Sequence, residues 1–321
     1  MLMRWQQWLT LGVIVFVAGC ASDNRFMLAE LDQQRDDVEL VHTPFYPQVT
    51  DQCGPSALAA VLNSSGVTVT PETLKSRIYI PGRQGSLQIE LLAATRGYER
   101  MPYLIDTNVS AILAEVRADR PVLVLQNLRS KRSPIWHYAV VVGYLADKKQ
   151  FVLRSSDQER HLMRASQFVR TWQRAGYWGI LALQPGEMPA SPDADKYVRS
   201  VATIEAIGDI ENALLGYHAA TERWPENSLA WLGMGNSFYA QGNLDSAESA
   251  YKRLLSIDSD HLVALNNLSQ VQIDRGCFAH ASVTLDAALS QANPDTTIYR
   301  TIQETRRKIE LRNPSAACDA S

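Results

Sequence analysis

The chain has 321 residues, of which 46% are hydrophobic and 20% charged, and a net charge of −3; its isoelectric point lies near 6.1. That balance supplies apolar material for two ordinary domains and leaves no basic stripe, so nucleic acid is excluded as a partner. No Cys-x-x-Cys or His-Glu-x-x-His spacing occurs, and neither a metal nor a cofactor is implied.

The amino terminus reads as a targeting segment over residues 1–19. Met1–Trp8 carries one charge, Arg4, and Leu9–Ala18 is an apolar core too short to span a bilayer. Small residues, Val17-Ala18-Gly19, close it ahead of Cys20. This arrangement resembles a bacterial lipoprotein signal, which implies that Cys20 becomes the acylated mature terminus and tethers a periplasm-facing protein to a membrane. Ala21 and Ser22 follow the cysteine in place of Asp, which points to the outer membrane. An uncleaved anchor or a plain secreted protein are the alternatives. Residues 20–41, polar and charged, read as a tether.

From residue 42 the pattern becomes that of a folded domain, with helices expected first: the apolar run after Cys53, then Pro71–Arg77, Leu87–Arg96 and Val109–Ala118. Strands follow at Pro121–Gln126, His137–Tyr144, Gln150–Arg154 and Trp178–Leu183, with a turn at Ala146–Lys149. Two segments carry chemistry. Cys53 sits on a Cys-Gly-Pro turn opening a helix, whose N-terminus offers N–H donors and a partial positive charge favouring thiolate. His137 heads an apolar strand that can aim its ring at that turn. Alone, a cysteine is ordinarily a small buried hydrophobe; together, cysteine and histidine make the minimal activated nucleophile. Gln126 lines a cleft or is simply a polar residue facing solvent.

Residues 42–185 resemble papain-like cysteine peptidases of the bacteriocin-processing, double-glycine leader peptidase family. The resemblance rests on the Gln…Cys53-Gly54-Pro55 opening, the helix Ala57–Leu62, the Gly85-Ser86-Leu87 segment, His137 before Val140-Val141-Val142-Gly143-Tyr144, and the late Phe168…Trp172 pair. It implies an α+β fold, Cys53 as nucleophile, His137 as general base and Gln48 in the oxyanion hole. Gln52 is the other candidate, because Gln48 stands one residue closer to the cysteine than the family's spacing. Where the family has an Asp-Pro, this chain has Ser155-Ser156-Asp157, which makes Asp157 the expected orienter of His137, with a serine or a backbone carbonyl as alternative.

Residues 186–193 punctuate a linker. Beyond it, over 194–312, a 34-residue frame starting at Ala194, Ser228 and Leu262 aligns Gly208 with Gly242 and Gly276, Ala213 with Ala247 and Ala281, and Tyr217 with Tyr251 and Leu285. Small residues there let antiparallel helices approach while aromatics fill the gap. This resembles a tetratricopeptide-repeat solenoid, all-α, with a capping helix at Thr296–Arg312 and a polar tail at 313–321. Cys277 and Cys318 remain available to pair in an oxidising compartment. The expected function is a membrane-anchored cysteine peptidase cleaving a peptide or protein substrate, with the repeat groove recruiting substrate or a protein partner. A cell-wall peptide hydrolase and a catalytically inactive scaffold are the alternatives.

Overall fold

The computed structural model describes residues 24–47, 52–83 and 85–311. The signal segment, Cys20, Gln48, Cys318 and the tail lie outside them. Two compact units form, one through Gln184 together with Pro189–Pro192, the other from Pro185–Met188 and Asp193 onward.

From residue 24 onward the expected tether is folded. Residues 24–32 form helix α1, whose Met27 and Leu31 are buried one turn apart, and Asp32 meets Lys149 Nζ at 2.6 Å. Two apolar residues on one face hold a helix that charged composition conceals. The linker is also tied down: the Ala190 N–H donates to Oε1 of buried Glu115 at 2.7 Å, so Pro189–Pro192 belongs to the first unit.

The first unit is built on an antiparallel sheet. Its strands are β1 (Val38–Glu39), β2 (Met101–Leu104), β3 (Val122–Asn127), β4 (Trp136–Leu145), β5 (Gln150–Ser155), β6 (Gln158–Arg164) and β7 (Gly179–Leu183). They run in the order β2-β7-β3-β4-β5-β6, with β1 on β4. β3 and β4 are apolar almost throughout because both faces are covered. On one face, α2 (Cys53–Ser64) lays Ala57, Leu58, Val61 and Leu62 among Leu123, Leu125, Tyr138, Val140 and Val142. Toward Phe151, α6 (Ala165–Arg174) brings Phe168, with ring centroids 4.1 Å apart, and Trp172 stacks behind it. Beyond the first residue of β3, Val122 opposite Val141, β1 takes over the same side of β4. Val38 O would lie 2.5 Å from any Cβ on Gly143, so only glycine admits that backbone. The remaining helices are α3 (Pro71–Ile78), α4 (Gln88–Gly97) and α5 (Val109–Arg117).

The second unit contains α7 (Ala194–Glu205), α8 (Ile210–Arg223), α9 (Ser228–Ala240), α10 (Leu244–Ile257), α11 (Leu262–Asp274), α12 (Phe278–Gln291) and α13 (Thr297–Glu310). Asp193, Asn227 and His261 cap the first helix of successive pairs through side chains accepting N–H groups three residues on. Gly208, Gly242 and Gly276 turn each pair with φ of +84°, +75° and +79°, a region costly to residues with a Cβ. A Cβ on Gly233 would lie 2.1 Å from Tyr217 Cζ, and one on Gly235 2.5 Å from Tyr251 Cε1. Asp209 and Asn243 cap the second helices of the first two pairs. Cys277 takes that place in the third without a cap bond and is disulfide-bonded.

Candidate active site

Cys53 is the first residue of α2, with Gln52 as N-cap. The helix closes its first turn through Ser56 N–H to Gln52 O at 3.0 Å. Cys53 is not disulfide-bonded, is partly buried, and packs against the cluster containing Tyr138. The approach is close: a Cβ on Gly54 would stand 3.6 Å from Tyr138 Cδ2 and 2.8 Å from Ser86 Oγ. Ser86 O in turn accepts the Tyr138 hydroxyl at 3.3 Å. Burial, and secondarily the charge of Cys53, push the Tyr138 phenol well above its ordinary range. The thiol therefore stands beside the strand position that follows His137.

His137 occupies the second residue of β4, opposite Gln126 on β3. Its Nε2 lies 2.8 Å from Ser155 Oγ, at the end of β5. Burial, and then the nearby His161, hold the imidazole down to about 4, so it is neutral at neutral pH. If Nε2–H donates to Ser155, Nδ1 carries the free lone pair and is the basic nitrogen. Asp157, the expected orienter, sits exposed in the turn between β5 and β6; the structure puts Ser155, two residues earlier, on the ring instead. At the end of β5 the chain must still pair with β6, Ser155 against Gln158, and that pairing sends Asp157 outward into the turn.

Gln126 is fully buried, so it does not face solvent. Its Nε2 donates to Thr171 Oγ1 at 2.7 Å, and its Oε1 has no protein partner. Two contributors escaped the sequence reading. One is Tyr138, hidden in an apolar run. The other is Arg154, whose buried guanidinium donates to the carbonyls of Leu40, Val41, Thr43 and Glu159 and so fixes the segment before residues 48–51. Burial lowers Arg154 below the usual guanidinium range. A lone arginine inside an apolar strand was its only signal. Among the described residues, no cluster of three or more His, Cys, Asp or Glu could hold a metal ion.

Residues 40–180 match the Peptidase_C39 like family and residues 238–304 the tetratricopeptide repeat. Comparison with curated proteins gives no match. Among solved structures, a C39-like peptidase from Bacillus anthracis is 18% identical over 47% of this chain and 98% of its own, with a TM-score of 0.40. The TPR2B domain of yeast Sti1, in its pHsp70 complex, is 19% identical over 36% of this chain and 95% of its own, at 0.35. The type III secretion translocator chaperone SycD of Yersinia enterocolitica is 19% identical over 38% and 88%, at 0.36. The chain thus carries a Peptidase_C39-like domain of α+β architecture followed by all-α tetratricopeptide repeats.

Proposed function

We propose that this protein is a cysteine peptidase, anchored through acylated Cys20 and facing the periplasm, most consistently from the outer membrane, whose repeats recruit the protein substrate or a partner. The observation that carries the reading is a thiol at a helix N-terminus that packs near Tyr138, the residue after a neutral His137 held by Ser155.

In that mechanism His137 Nδ1 takes the Sγ proton of Cys53 as sulfur attacks the peptide carbonyl. The Cys53 N–H, together with the Gln48 side chain, donates to the resulting oxyanion, a contribution of about 3–4 kcal/mol per donor in comparable sites. His137 then passes the proton to the leaving amine. Water, activated by the same ring, cleaves the thioester and restores the thiol.

The deciding experiment is labelling of the full-length protein with a peptidyl acyloxymethyl ketone. Wild type should label on Cys53, while Cys53→Ser and His137→Ala should not. Labelling that ignores both substitutions overturns the reading and leaves the scaffold alternative, which the lack of a carboxylate bonded to His137 among the described residues favours. Digestion of purified muropeptides separates the cell-wall alternative. Loss of palmitate incorporation in Cys20→Ala tests the anchor.

A further inference from the structure

The described part of the first unit exposes eight large apolar side chains. Five of them, Leu87, Ile89, Leu128, Ile135 and Trp136, lie on two segments that meet the site; Phe26, Val41 and Leu104 lie elsewhere in the chain. Leu87 and Ile89 follow Ser86, which touches Gly54 and Tyr138. The other three belong to the β3–β4 hairpin, whose second strand carries His137 as the residue after Trp136.

This hairpin is a built feature. Leu128 N–H donates to Ile135 O at 2.8 Å, and buried Asn127 ties the loop from within. Its Nδ2 donates to Ser130 O, and its Oδ1 accepts the N–H groups of Arg129 and Ile135. Arg174 Nε, from α6, holds Asn127 O at 3.0 Å. A loop pinned in this way keeps Trp136 54% exposed and Ile135 49% exposed, against the hydrophobic effect.

Charge names the occupant. From Pro121 to Ala146 the chain contains Arg129, Lys131 and Arg132 and no carboxylate. All three cations are exposed, and none enters an ion pair among the described residues, including with Asp157 on the adjoining turn. We propose that the hairpin over 128–136 is the substrate-selecting lip of the site. It docks a peptide segment in which an apolar side chain meets Leu128, Ile135 and Trp136 while flanking carboxylates meet Arg129, Lys131 and Arg132. The proposal rests on the peptidase reading for its effect on cleavage, but binding reads it without turnover.

The test uses full-length Cys53→Ala and two fluorescein-labelled decapeptides, one with leucine between glutamates and one with lysines in their place. By anisotropy the glutamate peptide should bind about tenfold or more tightly than the lysine peptide, less so as salt rises. R129E/K131E/R132E should abolish or invert that preference, and Trp136→Ala should weaken both peptides, with thermal unfolding unchanged because every substituted side chain is exposed. Equal binding of the two peptides, or a preference that survives charge reversal, overturns the proposal. So does sedimentation of wild type, but not the triple variant, with phosphatidylglycerol vesicles when peptides are not discriminated, which assigns the hairpin to a membrane. Failure of the peptidase reading shows separately, as absent labelling of Cys53 in wild type.

Discussion

In the repeat unit, Tyr217 and Tyr251 stand one 34-residue period apart, and each presses its ring on a glycine of the next or preceding helix. The same device recurs, and each use involves neighbours along the chain. In the peptidase-like unit nothing recurs. His137 needs Ser155 from another strand, Gln126 needs Thr171 from α6, and Arg154 gathers four carbonyls from two segments. Regular packing spreads stability over repeated contacts, whereas a site concentrates buried polar groups that each depend on one partner. A substitution should therefore act locally in the repeats and reach chemistry in the first unit.

The largest test of that contrast is Cys53→Ala, which should lower kcat/KM by about 10³-fold or more, as loss of a nucleophile does. Unfolding of the repeats should not change. Residual turnover near wild type would mean that the first unit is as chemically inert as the second.

A slightly smaller effect appears as stability against pH. Burial holds His137 at about 4 instead of the ordinary 6.5, so between those values the unfolded chain binds a proton that the folded chain refuses. Stability from this group is complete above about pH 6.5 and falls as the pH drops toward 4, by about 3 kcal/mol in all. Amide exchange of β3 and β4 should show this loss, and His137→Gln should flatten it. A slope unchanged in that variant would assign the acid sensitivity to other groups.

In the repeats, Gly233→Ala places a methyl against Tyr217 and should cost about 2 kcal/mol by overpacking. Calorimetry should show a lowered transition for the helical unit while probe labelling of Cys53 persists. If labelling falls in step, the two units do not respond independently.

The contrast also explains what the sequence disclosed. Repetition advertises itself: turn glycines and tyrosines recur in one frame, and helix starts recur with them at Ala194, Ser228 and Leu262. The α+β class of the first unit was legible because α2, β3 and β4 bury unbroken apolar runs. β6 was not, since an edge strand reading Gln158–Arg164 buries only Met163. β2 was missed as well: it is a four-residue edge strand containing Pro102, a residue edges tolerate because its missing N–H need not pair. α1 was lost within charged residues. At the site, residue type and local turn singled out Cys53 and His137, but the orienting group depends on strand register, which composition does not report.

That register underlies the smallest effect. Ser155 follows Arg154, which pairs with Val140 across β4 and β5, and a shift in register lies between Leu153 and Ser155 on the β6 side. The ladder thereby delivers Oγ to His137 Nε2 and leaves Asp157 in solvent. A hydroxyl orients the ring without placing a negative charge against it, which agrees with an imidazole held near 4 by burial. Ser155→Ala should therefore lower kcat about tenfold with little change in KM, the cost of about one oriented hydrogen bond. Asp157→Asn should stay within about twofold, because surface charges distant from the reacting atoms contribute little. Ser155→Asp adds the decisive comparison: an anion on Nε2 favours imidazolium, so the acid limb of the pH–rate profile should move upward. If instead Asp157→Asn abolishes turnover and Ser155→Ala leaves it intact, the turn reaches the ring during catalysis and the serine only fills space.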